Sequence, residues 1–113
     1  MAQSFKVLGQ LNPTANSQAN VYVVPVSTEA VISTISICNQ SSTNASYSLI
    51  VIPGNEAFGN PANAKHFVVR GATVPAADAI MLTVGITANT GTVIACNTNS
   101  NNISFSIFGS EIV

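Results

Sequence analysis

The chain has 113 residues, enough for one domain, and only 6% of them are charged, against roughly 25% in a typical soluble protein. Asn, Ser and Thr take the place of the missing charges, with 13, 13 and 10 copies. Three cations (Lys6, Lys65 and Arg70) are too few for a phosphate-binding groove, which excludes nucleic acid as a partner.

The first predicted feature is an N-terminal arm, Met1 to Lys6. It has no apolar run behind a basic start, so we expect no secretory signal peptide and folding in a cytoplasm. No apolar stretch along the chain approaches the ~18 residues of a membrane helix, so no membrane partner is expected.

Apolar residues then alternate with Ser, Thr and Asn at a spacing of two, which is typical of strands. In chain order, the predicted strands cover residues 5–8, 19–26, 30–38, 46–51, 66–70, 80–87, 92–96 and 103–108. Ile80, Leu82, Val84 and Ile86 share one face of their strand, and we expect that face to be core.

Turn-forming clusters rich in Asn, Ser, Gly and Pro separate these strands. The sequence therefore predicts an all-β fold, a single β-sandwich domain of about eight strands over residues 1–113. Strand order is invisible in periodicity, so both a jelly roll and an immunoglobulin-like Greek key stay open.

One connection, residues 53–64, is too long and irregular for a turn, with two Pro and two Gly. Loops of this length are often functional. The alternative is a crossover between two sheets, with Phe58 at the edge of the core.

Chemical motifs are scarce. His66 is the only histidine, and we expect it to be exposed or hydrogen-bonded rather than catalytic. Cys38 and Cys96 are predicted to be buried thiols rather than a disulfide, and with His66 they lack zinc-ligand spacing. Tyr22, Tyr47 and Phe58 are more typical of core than of a glycan-stacking platform. The chain is predicted to be no enzyme and to hold no cofactor.

The small number of charged residues also affects how the sheet edges at the surface are protected. Soluble monomers usually guard their sheet edges with Lys, Glu or Pro, and this chain has few such guards. We therefore expect much of its surface to be covered in its working state. The alternative is that amides and hydroxyls alone keep it soluble.

Five segments carry a resemblance to a known group: 6–10 (KVLGQ), 21–27 (VYVVPVS), 33–39 (STISICN), 82–87 (LTVGIT) and 103–112 (ISFSIFGSEI). In order and spacing they resemble short structural proteins of tailed-bacteriophage virions, as found in phages of aquatic bacteria including cyanobacteria.

The resemblance implies a virion protein assembled in the host cytoplasm, whose partners are the major capsid protein, copies of itself and other virion proteins. A trimeric capsid decoration or cement protein is the first expectation. A tail, neck or fibre-adaptor subunit and a virion-displayed glycan-binding adhesin, with Tyr22, Phe58 and turn asparagines as its site, are the alternatives.

Candidate assembly contacts are assigned to the termini and the long loop, because these parts are expected to be free of sheet pairing. They are Met1, Ala2, Gln3, Asn55, Glu56, Phe58, Asn60, Asn63, Glu111 and Val113.

Overall fold

The computed structural model describes residues 3–57, 59 and 62–113. Its eight strands are β1 Gln3–Leu11, β2 Ala19–Val23, β3 Glu29–Asn39, β4 Ala45–Ile52, β5 Phe67–Val74, β6 Ala79–Ala88, β7 Val93–Thr98 and β8 Ile103–Ile112. A 3-10 turn, Ala64–His66, precedes β5. The described part of the chain contains no helix that is long and apolar enough to cross a membrane. The predicted all-β fold is confirmed.

The strands form two antiparallel four-stranded sheets that pack into a sandwich. Sheet A has the order β1-β8-β3-β6, and sheet B has the order β2-β7-β4-β5. Strand pairing is nested: the first strand pairs with the last, β2 with β7, β3 with β6 and β4 with β5. A long hairpin folded over so that its strand pairs alternate between two sheets is a jelly roll. Of the two predicted topologies, the structure has the jelly roll.

The core lies between the two sheets, where alternation along each strand places aliphatic and aromatic side chains. Phe105 and Ile107 of β8 and Ile35 of β3 are fully buried. The Phe105 ring packs edge-on against Tyr47, with centroids 6.4 Å apart. Burial of each such side chain stabilises the fold by about 1.5–3 kcal/mol.

The aliphatic row of β6 faces this core, as predicted, but it is only half-buried. The reason is topological, because β6 is an edge strand of sheet A and has a neighbour on one side only. Periodicity reports which side chains share a face, and it does not report whether the strand is central.

Both cysteines are free thiols, as predicted. Cys96 is fully buried between the sheets, and this burial raises the pKa of its thiol to about 12. Cys38 is half-buried on the side of sheet A that faces away from the core, so the expectation of a buried thiol was wrong for this residue.

The chain ends are paired strands, which corrects the expectation that they are free arms. Residues 3–7 of β1 lie in register with residues 108–112 of β8. Such a pair joins residues more than 100 positions apart, so local sequence gives no sign of it. Among the described residues at the two ends of the chain, only Val113 lies outside a strand.

The long connection joins β4 to β5, which are neighbours in sheet B, so the alternative of a crossover between two sheets is wrong. In the described part of the loop, Ala62 lies instead on the outer surface of sheet B. There Ala62 and Phe67 pack on a second small cluster, whose buried members are Ile50, Ile52, Val93 and Ala95.

Candidate functional site

The predicted assembly contacts lie in different environments. Met1, Ala2, Phe58 and Asn60 are outside the described residues. Asn55, Asn63 and Val113 are exposed, Gln3 is exposed on β1, Glu56 is half-buried, and Glu111 is buried. These residues therefore do not form one continuous surface.

A continuous surface is found instead on sheet A, where side chains point away from sheet B. We call it the outer face, and the strand registers place on it Phe5, Val7, Gln10, Ser104, Ser106, Phe108, Ser110, Val31, Thr34, Ser36, Cys38, Ala79, Met81, Thr83 and Thr87. None of these residues is charged. Among the described residues of sheet A, only Glu29 shares this orientation and carries a charge, and it lies at the end of β3.

The apolar part of the outer face is an open groove of about 620 Å³ across β1, β8 and β3. Phe5 is 81% exposed and Val7 is 49% exposed, and Val31 and Phe108 lie beside them. A register shift in β1 after Val7 moves one residue out of the ladder, which places Phe5 and Val7 on the outer side. Large apolar side chains exposed in one patch typically mark an interaction site.

Glutamine–serine pairs flank the groove on the same face. The Gln3 Nε2 atom donates a hydrogen bond to Ser110 Oγ at 3.2 Å, and Gln10 Nε2 donates to Ser106 Oγ at 3.3 Å. These neutral groups can exchange hydrogen bonds with a partner without the cost of desolvating a charge. The outer face therefore combines an apolar groove at its β1 edge with neutral polar side chains beside it.

At the β4–β7 centre of sheet B, the outward apolar side chains are buried, and among the described residues Ala62 of the loop packs on them together with Phe67. Gln18 fixes that loop with both ends of its amide: Nε2 donates to the carbonyl oxygen of Gly59 at 2.7 Å, and Oε1 accepts from the Ala62 N–H at 3.0 Å. The long loop thus has a structural role in the part that the structure describes.

Replacement of Gln18 by Ala should lower the free energy of unfolding by about 1 kcal/mol, because two hydrogen bonds that hold the loop are lost. Urea unfolding followed by circular dichroism measures the change. Gln10→Ala is the matched control, since that amide bonds only to an exposed serine on the outer face. Equal losses in the two variants would contradict the anchoring role of Gln18.

His66 and Glu56 meet at the base of the loop. The His66 Nε2 atom lies 3.1 Å from Glu56 Oε1, and the Lys65 ammonium lies 2.6 Å from the same oxygen. The hydrogen bonds from Lys65 and then from His66 hold the pKa of Glu56 below its usual range. His66 is 4% exposed, and the predicted hydrogen-bonded histidine is confirmed. The arrangement holds the loop against β5 and offers little access to a substrate.

Glu111 lies in a second polar cluster, between the sheets at one end of the sandwich. Its Oε2 atom accepts a hydrogen bond from the Tyr22 hydroxyl at 2.5 Å, and its Oε1 atom lies 2.5 Å from Lys6 Nζ. The Lys6 ammonium, and then the Tyr22 hydroxyl, hold the pKa of Glu111 below its usual range. Burial, together with this carboxylate, raises the pKa of Tyr22. Glu111 therefore joins β8, β1 and β2 and is not placed to contact a partner.

The glycan-binding alternative loses the tyrosines of its stacking platform. Tyr22 and Tyr47 are both buried in the core, as the strand pattern favoured, and neither can stack on a sugar ring. Phe58 lies outside the described residues. In the described part of the chain, no three His, Cys, Asp or Glu side chains are grouped so that they could hold a metal ion.

The outer face was missed by sequence reasoning, which searched the loops and the ends. No protein-family model matches the chain, and no curated protein matches it either. A usable signal was present, since residues 79–88 and 103–110 contain no charged side chain at any outward position. Strand alternation identified those positions, but not their assembly into one face.

Proposed function

We propose that the chain is a structural protein of a bacteriophage virion, which binds the assembled head as a decoration or cement protein. The resemblance to tailed-phage virion proteins supports the virion role. The single observation that favours passive binding is the outer face of sheet A, which is broad and uncovered and has few charges, namely Glu29 at the end of β3 and Lys6 beside the groove.

The contrast between the two sheets supports this choice of surface. Apolar residues at the centre of sheet B are buried under Ala62 and Phe67, whereas Phe5, Val7 and Met81 of sheet A are exposed. Exposed aromatic side chains are typical energetic anchors of an interface. We therefore assign the capsid contact to the outer face, with Phe5 as its anchor.

The proposed mechanism is stabilisation by mass action. A protein that binds the assembled lattice, and not the free capsid subunit, lowers the free energy of the particle in proportion to the logarithm of its own concentration over Kd. Many copies add their contributions. The major capsid protein is the proposed partner, and no chemical turnover is involved.

Phe5→Ala should weaken binding to bare capsids of the phage at least about tenfold, which corresponds to about 1.4 kcal/mol. Co-sedimentation of the purified protein with capsids measures this. Val26→Ala is the control, because Val26 is 83% exposed but lies on the loop between β2 and β3. Wild-type protein that ignores capsids, or equal binding of both variants, would overturn the proposal.

Placement in the tail or neck is the second candidate, and the unpaired edge of β6 is the observation that favours it. Strand edges that pair with the next copy would build rings or fibres. Electron microscopy of the purified protein distinguishes the two placements, since a decoration protein should form no such assemblies in the absence of capsids.

A further inference from the structure

An apolar cleft opens between β5 and β6, the edge strands that the two sheets present on the same side of the sandwich. It has a volume of about 170 Å³. Nine of its ten lining residues are aliphatic, and the tenth is Thr83. Both sheets contribute to this lining, so the cleft enters the space between them.

The floor of the cleft is part of the core. Ile35 of β3, Leu49 of β4 and Ile94 of β7 line it, and each of them is at most 2% exposed. A molecule in the cleft would therefore contact side chains that water reaches very little. This depth distinguishes the cleft from a shallow patch on the surface.

The walls of the cleft are inward-facing side chains that the fold leaves half-buried. They are Val51, Val69, Leu82, Val84 and Ile86, all of which pack against the core cluster. No residue of the long loop lines the cleft within the part of the chain that the structure describes. The apolar surface of these walls is therefore available to a ligand.

The chemistry of the lining favours an uncharged apolar ligand. No lining residue carries a charge, and the register of β6 places the Thr83 side chain on the outer face, away from the cleft. A buried water needs two to four polar partners, which aliphatic side chains do not offer. A hydrocarbon that enters the cleft removes its own surface and that of the walls from water, which is favourable.

The volume sets the size of the ligand. Cavities of about 150 Å³ that are lined by Leu, Ile and Phe bind benzene or xenon, whereas pockets for drug-sized molecules measure roughly 300–1,000 Å³. We propose that the cleft between β5 and β6 is a binding site for a small uncharged hydrocarbon molecule of the size of one benzene ring.

The site is separate from the groove on the outer face. That groove has a volume of about 620 Å³, and Gln3, Lys6 and Ser110 are among its lining residues, so a small hydrocarbon there stays in contact with water and polar groups. The groove lies at the β1 edge of sheet A, and the cleft lies at the β6 edge. Ligand binding in the cleft does not depend on the proposed capsid function.

Titration with benzene, followed by methyl NMR spectroscopy, tests the proposal. The methyl resonances of Leu49, Leu82 and Val84 should shift together, with a Kd on the order of 1 mM, because six partly buried carbon atoms contribute limited binding energy. Pyrazine is the matched ligand, since it has the shape of benzene with nitrogen atoms at opposite ends of the ring. It should bind at least about tenfold more weakly, because a nitrogen in the cleft loses its hydrogen bonds to water.

Two variants fill the cleft from opposite walls. Val84→Phe adds a ring from sheet A and Val69→Phe adds one from sheet B, and each should raise the Kd for benzene at least about tenfold. Both side chains are half-buried beside open space, so the added volume need not overpack the core. Circular dichroism verifies folding, and either variant suffices if the other fails to fold.

Val7→Phe is the matched control, since it makes the same substitution on β1, at the opposite edge of sheet A. It should bind benzene as the wild type does. Four results would overturn the proposal: no shift of the cleft methyl groups up to the solubility limit of benzene, shifts at Val7 and Val31 of the groove instead, equal affinity for pyrazine, or wild-type affinity in the filled variants.

Discussion

Gly109→Ala should lower the free energy of unfolding by about 3 kcal/mol, the upper end of the cost of overpacking. A methyl group at this position would overlap the carbonyl oxygen of Val31 on the neighbouring strand, and it would lie 3.0 Å from the Cα atom of Ile32. Both obstacles are backbone atoms of β3, so no side chain can rotate away. Strand β3 would have to shift at the centre of sheet A.

Thermal unfolding should show a drop in Tm of roughly 10 °C for this variant. Gly85→Ala is the control, because a methyl group at Gly85 meets nothing within 4 Å and its φ is not positive. That variant should be unchanged or up to about 0.5 kcal/mol more stable, through lower entropy of the unfolded chain. Similar losses at both glycines would show that β3 and β8 do not approach as closely as described.

The close approach at Gly109 shows what the sequence could and could not predict. Alternation at Ile103, Phe105 and Ile107 identified β8 and its buried face, because a period of two is a local property. The strand's two neighbours, β1 and β3, are distant in sequence. The sequence around Gly109 does not show that the backbone of β3 passes so close that only glycine fits there.

The same limit explains why some of the candidate contact residues were assigned to the wrong environment. Residues near the ends were assigned to free arms, but Gln3 and Glu111 belong to paired strands. The register shift after Val7 turns Phe5 and Val7 to the outer side, and one displaced residue reverses the direction of every side chain beyond it. The composition did predict a charge-poor surface. The absence of charged residues and proline from the edge strand β6 agrees with that prediction.

Glu111→Ala should lower the free energy of unfolding by about 1–3 kcal/mol, the cost of leaving one buried polar group without its hydrogen-bond partner. The Tyr22 hydroxyl would stay buried without its acceptor, and Lys6 would lose its carboxylate. Urea unfolding at neutral pH measures the loss. Glu29→Ala is the control, because Glu29 is exposed at the end of β3 and should change stability by less than about 0.5 kcal/mol.

The pH dependence identifies the carboxylate as the cause. Lys6 and Tyr22 hold the pKa of Glu111 below the usual glutamate value, so the native state stabilises the ionised form. This stability is present above the unfolded pKa, about 4.3, and is lost as the pH falls through the lower native value. The difference in the free energy of unfolding between wild type and Glu111→Ala should therefore become smaller at acidic pH. A gap that is constant from pH 7 to about pH 3 would mean that the side chain acts by packing alone, and the charge would then have no part in holding β1 to β8.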